Sequence, residues 1–258
     1  MTERIDWLPT ITAEGAMQMA VDEVLLERAG QGHSSFRVYY WSETTLSLGY
    51  FQQAAERLQY PELAALPFVR RLTGGGAIVH GQSVTWPTGE MLRECTYALA
   101  LPATVVAQKP AACWHDEVHE ALCEILCQNG VLANMVPRAT SCRREADDDT
   151  SVPQRNPIAP TPRSATPFLC FAEPAPGDIV WQGRKIVGSA QRLRRSALLQ
   201  HGSILLPVSL GNIETLVFPW LDALGFAVER APWRDEDWQR ARNLAETRYA
   251  RDSWNLRR

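Results

Sequence analysis

The sequence predicts an α/β (α+β) fold with a mixed, largely antiparallel central sheet flanked by helices. Helix-like and strand-like segments are interspersed along the chain, and several of the strands are joined by short turns typical of hairpins. The chain has 258 residues, of which 45% are hydrophobic, and this is enough to build a sizeable core. We therefore expect a single domain over residues 1–258, without the regular strand–helix alternation of a doubly wound sheet.

The first half of the chain alternates helices and strands. Gly15–Arg28 has apolar residues at helical spacing with acids between them, which predicts an amphipathic helix. Ser35–Trp41 and Thr45–Leu48 read as strands. The segments that follow are a predicted short helix and three extended runs: Arg57–Leu66, Phe68–Leu72, Ala77–His80 and Thr96–Leu101.

The second half contains a strong helix and then a meander. Asp116–Gln128 carries one apolar face and ends at Asn129-Gly130, a common helix stop. The remaining predicted elements are three strands and two closing helices: Asp178–Trp181, Arg184–Leu193, Ala197–Leu206, Gly211–Leu224 and Glu236–Ala250.

Two segments break this pattern. Gly81–Cys95 is polar, contains Pro87, and is predicted to be an insertion. Ala139–Pro167 holds five prolines, a run of three aspartates and few apolar residues, so it cannot offset its ordering entropy by burial. We predict that this second segment is a mobile loop within the domain.

Composition and charge exclude several classes of protein. The formal net charge of −3 gives no basic field, which argues against nucleic acid as a partner. No stretch approaches the roughly 18 apolar residues of a membrane helix, and Met1–Pro9 lacks a signal-peptide core. Six cysteines without regular spacing suit a reducing compartment. The sequence therefore predicts a cytoplasmic protein that does not bind membranes.

Two glycine-containing stretches stand out as candidate ligand sites. Thr73–Gly76 follows Arg71, and its three glycines allow close approach of a ligand, although a flexible hairpin turn is an equal reading. Lys185 is one of only two lysines beside 24 arginines, and small residues follow it at Gly188 and Ser189. An ordinary solvated strand lysine is the alternative there.

Cys170 lies between the predicted mobile loop and the meander. A free cysteine is most often a buried structural residue. It becomes a nucleophile when a nearby ammonium stabilises its thiolate, and Lys185 is the ammonium on the neighbouring stretch.

A row of possible metal ligands runs along the third predicted helix. His115, His119, Cys123 and Cys127 are spaced by four, but twelve residues of helix span roughly 18 Å, so at most two neighbours share one metal. We expect no metal site.

Several motifs in order along nearly the whole chain resemble the biotin/lipoate protein ligase and octanoyltransferase superfamily. They are GAMQMAVDE at 15–23, LSLGY at 46–50, RRLTGGGAIVH at 70–80, GRKIVGSAQ at 183–191, HGSILL at 201–206 and WNLR at 254–257. CFAEP at 170–174, ahead of DIVWQGRK at 178–185, is similar to the cysteine-dependent octanoyl-[acyl carrier protein]:protein N-octanoyltransferases of this superfamily.

The resemblance implies a biotin/lipoate ligase catalytic-domain fold in which the glycine loop and the lysine strand enclose an acyl chain. It implies that Cys170 and Lys185 are catalytic. The residues that it implies for substrate binding are Arg71, Gly74, Gly75, Gly76, His80, Gly188, Ser189, Ala190, His201 and Gly202.

The activity implied is transfer of an octanoyl group from acyl carrier protein to a lysine of a lipoyl-domain acceptor, such as the glycine cleavage H protein, through a thioester on Cys170. No ATP, metal or other cofactor is then needed. Two alternatives stay open. One is a lipoate–protein ligase that uses ATP and magnesium, in which Cys170 is incidental, although ligases commonly show Asp where this chain has Gly81. The other is a non-catalytic paralogue that binds acyl groups or lipoyl domains.

Overall fold

The computed structural model describes residues 2–138, 167–195 and 197–257, so the mobile loop predicted over Ala139–Pro167 lies outside the described residues except for Pro167. The helices are α1 (Gly15–Ala29), α2 (Pro61–Ala64), α3 (Ala103–Val106), α4 (Ala111–Gln128), α5 (Glu214–Ala223), α6 (Asp235–Leu244) and α7 (Asp252–Asn255). The strands are β1 (Glu3–Trp7), β2 (Ile11–Ala13), β3 (Ser35–Trp41), β4 (Thr45–Leu48), β5 (Phe68–Arg70), β6 (Ile78–His80), β7 (Ser83–Thr85), β8 (Met91–Leu101), β9 (Ala133–Met135), β10 (Ile179–Trp181), β11 (Arg184–Arg194), β12 (Ala197–Pro207) and β13 (Phe226–Arg230).

The main sheet has the strand order β13-β1-β3-β8-β12-β11-β10-β9. Two short strands also belong to it: β2 pairs with β3, and β7 pairs with β8. Strand β1 pairs in parallel with both β13 and β3, whereas the strands from β3 to β9 along this order all pair antiparallel. The three long strands β8, β11 and β12 form its centre. The mixed, largely antiparallel sheet that the sequence predicted is therefore confirmed.

Helices cover both faces of this sheet. Because the side chains of a strand alternate between its faces, a single strand packs against helices on both sides. On β8, Tyr97 and Leu99 pack in the core cluster that contains α4 and α5. Ala98 and Ala100 face the other way, into the cluster that contains α1 and α6. The small alanine side chains let α1 lie close to the sheet.

A smaller sheet has the order β5-β4-β6 and carries the glycine loop between β5 and β6. Strand β4 pairs in parallel with β5 and antiparallel with β6. An isolated parallel bridge joins Ala77 to Leu169, so the segment that leads to Cys170 lies against the end of the glycine loop.

The structure corrects some sequence-based expectations. Helix α1 matches its predicted bounds within one residue, but it is buried along most faces, and its acids Asp22 and Glu23 are buried in ion pairs with arginines instead of facing solvent. The strand predicted from Thr96 begins at Met91, because the polar segment after Gly81 forms a hairpin of β7 with β8.

Other differences concern element ends and strands that were missed. The region predicted as one helix over Arg57–Leu66 is a 3₁₀ turn over Ala54–Gln59 followed by α2. The last predicted helix divides into α6 and a π-helical turn over Ala245–Tyr249. Strands β1, β2, β9 and β13 had no prediction. None of the helices in the described part of the chain is long and apolar enough to span a membrane.

Candidate active site

Cys170 and Lys185 meet at the junction of the two sheets. The Nζ atom of Lys185 lies 3.2 Å from Sγ of Cys170 and 3.1 Å from its carbonyl oxygen. The cysteine is held by its backbone: its N–H donates to the Ala77 carbonyl at 2.8 Å, and the Ala77 N–H donates to the Phe168 carbonyl at 2.8 Å. Lys185 is the second residue of β11. The two residues that the sequence nominated for catalysis are thus in direct contact.

The ammonium of Lys185 is buried and has a carboxylate partner. Asp178 Oδ2 lies 2.7 Å from Nζ, and the two side chains are only 7% and 3% exposed. A second hydrogen bond, from the Ala175 N–H at 2.7 Å, fixes this carboxylate. Burying an ammonium is costly unless it is paired and hydrogen-bonded. The sequence analysis did not assign Asp178 to the site; its position at the start of a predicted strand that pairs with the lysine strand was the available signal.

Gly188 supplies the space that the lysine occupies. A Cβ at this position would lie 2.3 Å from Cε and 2.6 Å from Nζ of Lys185, and 3.3 Å from Oδ1 of Asp178. Any larger residue would therefore displace the ammonium from its pair. This accounts physically for the small residue three positions after the lysine.

The glycine loop needs glycine at particular positions. A Cβ on Gly76 would lie 3.0 Å from the backbone nitrogen of Cys170 and 3.2 Å from the carbonyl oxygen of Phe168. Gly75 has φ +87°, in the left-handed region, and a Cβ on Gly49 would lie 2.0 Å from its carbonyl oxygen. At Gly74 the nearest atoms are 3.7 Å away, on the Phe51 ring. Glycine is thus favoured at Gly75 by its backbone conformation and at Gly49 and Gly76 by close contacts, whereas neither reason applies at Gly74.

Arg71 fixes the shape of the glycine loop by hydrogen bonds to its carbonyl groups. Its guanidinium donates to the carbonyls of Gly74 and Gly76 at 3.0 and 2.9 Å, and to the carbonyl and hydroxyl of Ser47 at 2.8 and 2.6 Å. Burial lowers the pKa of Arg71 to about 10, which still leaves it charged at neutral pH. Arg71 therefore places a buried positive charge under the loop.

His80 lies beside Arg71 in a buried chain of hydrogen bonds. Its Nδ1 faces Oε1 of Glu94 at 3.0 Å and its Nε2 faces Ser47 Oγ at 2.7 Å, while its ring stacks on Trp41 with centroids 4.0 Å apart. Burial lowers the pKa of His80, so the ring is neutral, donates from Nδ1 and accepts at Nε2. Glu94, in the segment predicted as an insertion, was missed by the sequence analysis.

His201 belongs to a separate buried network on the α1 side. Its Nδ1 lies 2.8 Å from Oδ2 of Asp22 and its Nε2 lies 2.6 Å from Thr73 Oγ1, in the glycine loop. Burial alone would raise the pKa of Asp22, but Arg37 and His201 outweigh it and lower that pKa. The network thus ties α1 and β12 to the loop.

Ser189 is linked to a histidine that the metal hypothesis had considered. His119 Nδ1 lies 2.6 Å from the carbonyl oxygen of Gly177, which only accepts, and its Nε2 lies 2.5 Å from Ser189 Oγ. Burial lowers the pKa of His119 well below its ordinary value, so the neutral ring donates from Nδ1 and accepts the Ser189 hydroxyl. The Tyr97 hydroxyl donates to Ser189 at 2.6 Å.

Both ring nitrogens of His119 are thus used by protein partners instead of forming a ligand pair with Cys123. Among the described residues, no group of three or more His, Cys, Asp or Glu side chains is arranged to hold a metal ion.

A narrow cavity lies between the glycine loop and strands β11 and β12. Most of the predicted substrate-binding residues line it: Arg71, Gly75, His80, Gly188, Ser189, Ala190, His201 and Gly202, together with Cys170. Gly74 and Gly76 do not line it. Met19, Tyr39, Trp41, Ile78, Thr96 and Ser203 complete the wall and were not predicted. Gly202 leaves room for the Ser189 side chain in the cavity wall, since a Cβ at position 202 would lie 2.3 Å from Ser189 Oγ.

This arrangement suits nucleophilic acyl chemistry. A cysteine sulfur touches a buried ammonium at the wall of a cavity whose polar side chains are largely engaged with one another. An ammonium beside a thiol stabilises the thiolate, which is the reactive form. The cavity has a volume of only about 30 Å³, so its walls must move apart to take up an apolar chain attached to the reacting carbonyl.

The sequence and the fold of the chain were compared with those of known proteins. The family model described as the lipoyl protein ligase A/B catalytic domain matches residues 14–87. Solved structures with the same fold include lipoate-protein ligase A bound with ATP (TM-score 0.64, 18% identity, 99% of each chain). Another is a bi-partite lipoate protein ligase from Thermoplasma acidophilum (TM-score 0.63, 16% identity, 99% of this chain and 96% of that chain). At these identities the likeness shows the fold alone.

Sequence relatives are more informative. The chain is 30% identical to octanoyltransferase LipM of Brevibacillus brevis over 99% of its own length and 100% of the relative's. It is 34% identical to octanoyltransferase LipM of Kyrpidia tusciae over 77% of its length and 65% of that relative's. The chain is therefore a member of the octanoyltransferase LipM family of acyltransferases.

Proposed function

We propose that this chain transfers an octanoyl group from acyl carrier protein to a lysine of a lipoyl-domain acceptor, such as the glycine cleavage H protein, in the cytoplasm. The octanoyl group passes through a thioester on Cys170, and neither ATP, metal nor another cofactor takes part. The observation that carries the proposal is the 3.2 Å contact between Lys185 Nζ and Cys170 Sγ at the wall of the narrow cavity. The names of the LipM relatives support the octanoyl group.

In the first step the Cys170 thiolate attacks the carbonyl carbon of the carrier thioester. A bond forms between that carbon and Sγ, the bond to the carrier sulfur breaks, and the carrier leaves as a thiolate that takes up a proton. Lys185 stabilises the attacking thiolate and lies close enough to orient the carbonyl oxygen. Exchange of one thioester for another is nearly isoenergetic.

Developing negative charge on the carbonyl oxygen needs hydrogen-bond donors. Within the described ranges, the backbone N–H groups of Gly75 and Gly76 donate to no protein acceptor, and Gly76 lies against Cys170. The buried charge of Arg71 under the loop adds to the positive field there. We assign the glycine loop to oxyanion stabilisation.

In the second step the neutral amine of the acceptor lysine attacks the octanoyl-cysteine. A carbon–nitrogen bond forms, the bond to Sγ breaks with its electron pair so that Cys170 returns to its thiolate, and the amine gives up one proton to solvent. Thioester to amide is downhill, so no nucleotide is needed to drive the transfer. The 2.7 Å pair with Asp178 holds Lys185 in place through both steps.

The predicted substrate-binding residues then act as the wall around the octanoyl chain. His80 and His201 are buried and use both ring nitrogens within the protein. Ser189 is similarly engaged with His119 and Tyr97. Because these polar atoms already have partners, the cavity presents mostly carbon to an apolar chain despite its polar composition.

The test is incubation with octanoyl-acyl carrier protein and H protein, with and without ATP, read by intact mass. We expect H protein to gain one octanoyl group equally well without ATP. The Cys170→Ala variant should lose transfer, whereas Cys123→Ala, which removes a half-buried thiol on α4, should keep it. A requirement for ATP would favour the ligase alternative, and no transfer under either condition would favour a non-catalytic binding protein.

A further inference from the structure

A second cavity opens beside Lys185, which lines it, whereas Cys170 lines the acyl cavity. Its volume is about 510 Å³, within the range of small-molecule sites. One wall comes from the β7–β8 hairpin region, with Gln82, Val84 and Trp86, and the opposite wall comes from the segment after Cys170, with Phe171, Ala172 and Pro174. Lys185, Arg184 and Leu205 lie between these walls. We call this space the arm pocket.

The arm pocket and the acyl cavity adjoin each other. Ile78 and Ser203 line both of them, and the Cys170–Lys185 contact lies where they meet. A thioester has two substituents on opposite sides of its carbonyl: the acyl chain and the group on sulfur. If the acyl chain fills the narrow cavity, the sulfur substituent must extend elsewhere from Cys170, and the arm pocket, lined by Lys185, adjoins that point.

We propose that the arm pocket binds the pantetheine arm of the acyl donor, a flexible, uncharged chain with two amide groups that continues from the thioester sulfur. The proposal rests on the proposed function, because it takes the donor to be a carrier-bound thioester. It assigns the hairpin over residues 81–95, which the sequence analysis treated as an insertion, to donor recognition.

The chemistry of the lining suits such an arm. Most of its side chains are apolar, with a few polar groups among them, as in sites that bind neutral organic chains. The Trp86 indole contributes its ring to the apolar part of the lining, and its buried Nε1–H has no hydrogen-bond partner among the described residues. The Gln82 amide, exposed at the rim, offers a further donor and acceptor.

Charge argues against a nucleotide in the same space. Lys185 and Arg184 are the cations in the lining, and Lys185 is already neutralised by Asp178 at 2.7 Å. The buried carboxyl of Glu94 also lines the pocket, and although burial raises its pKa, His80, the Gly81 N–H and Ser203 outweigh this and lower it, so the group is ionised. A triphosphate would thus face a carboxylate and the Arg184 guanidinium, which lies 5.7 Å from the centroid of the Trp86 ring, whereas an uncharged arm meets no such repulsion.

The experiment compares two donors that share the octanoyl group but differ beyond sulfur. Octanoyl-pantetheine carries the arm, and the octanoyl thioester of methanethiol does not. The rate of octanoyl addition to the full chain is followed by intact mass without acceptor, and the ratio of the two rates reports on the arm alone. Tryptophan is introduced on each wall, as Ala172→Trp and as Gln82→Trp.

Neighbouring positions provide matched controls. Glu173→Trp and Ser83→Trp add the same side chain at exposed positions that do not line the pocket. We expect the pantetheine-to-methyl rate ratio to fall about tenfold in the two pocket variants and to stay at the wild-type value in the two controls.

Other outcomes would overturn the assignment. An unchanged ratio in both pocket variants would exclude the arm from this space, as would equal wild-type rates for the two donors. Binding of ATP to the wild-type chain that is lost in Ala172→Trp would assign the pocket to a nucleotide. Failure of both donors to acylate the wild-type chain would instead refute the proposed function itself.

Discussion

Replacing Gly188 by alanine tests whether the position of the Lys185 ammonium governs the chemistry. The new Cβ would lie 2.3 Å from Cε of Lys185, whereas non-bonded carbon atoms pack at about 3.5–4.0 Å. The end of the lysine must therefore move by more than about 1 Å. It then cannot keep both the 2.7 Å pair with Asp178 and the 3.2 Å contact with Cys170.

A misplacement of about 1 Å in a catalytic group can cost on the order of a hundredfold in rate. We expect Gly188→Ala to slow acylation of Cys170 by about that factor. The fold should be retained, because the nearest clashing atoms are the end of a side chain and not backbone. The assay is rapid mixing with octanoyl-acyl carrier protein, quenching in acid and intact mass, with circular dichroism to confirm folding.

Gly74→Ala is the matched control, because it adds the same methyl group in the glycine loop where the nearest atoms are 3.7 Å away. It should acylate far faster than Gly188→Ala. If folded Gly188→Ala formed the octanoyl-enzyme within about threefold of the wild-type rate, the reasoning that ties the lysine position to catalysis would be refuted.

Further predictions concern the same contacts. Lys185→Arg should lose most acyl transfer despite keeping the charge, measured as octanoyl gain on H protein, because a planar guanidinium does not fit the space beside Gly188. Gly76→Ala should slow acylation strongly, since its Cβ would meet the Cys170 backbone at 3.0 Å; a wild-type rate would contradict the packing argument. His119→Leu should lower the free energy of unfolding by about 1–3 kcal/mol in urea titrations, because it leaves Ser189 and the Gly177 carbonyl without their partner. Burial lowers the pKa of His80, His115 and His119 in the folded chain, so below the unfolded value near 6.5 the unfolded state binds more protons. The free energy of unfolding should therefore fall between about pH 6.5 and 5, before the carboxylates Asp22 and Glu94 titrate in either state, and a flat profile over this window would show that these histidines are not held neutral.

Local patterns were enough to predict the middle of the main sheet, from β3 to β10 in its strand order, and β4 of the smaller sheet, but not the outer strands. Strands β3 and β4 have the predicted bounds, and β10 to β12 differ by about one residue, because short turns and alternating apolar residues mark them in the sequence. Strand β1 was missed because its glutamate, arginine and aspartate mask its apolar residues. Its burial depends on β13, which pairs with it from the other end of the chain.

The site residues also divide into those that local sequence motifs indicate and those that depend on contacts between distant parts of the chain. The resemblance supplied Cys170, Lys185 and the glycines, since these lie in compact motifs. Asp178 and Glu94 could not be found in this way. Asp178 acts by pairing with Lys185 and Glu94 by bonding to His80, and these contacts form only when the chain folds. The pairing of Asp22 with His201 spans 179 residues of sequence, and no local pattern indicates it.

The most direct test of the account is whether Cys170 becomes octanoylated. The wild-type chain is incubated with octanoyl-acyl carrier protein, without acceptor and without ATP, and its intact mass is measured before and after hydroxylamine. The account predicts a gain of one octanoyl group that hydroxylamine removes, and no gain in Cys170→Ser or Cys170→Ala. Transfer to H protein that persists in Cys170→Ala without ATP, or an octanoyl adduct on another residue, would contradict it.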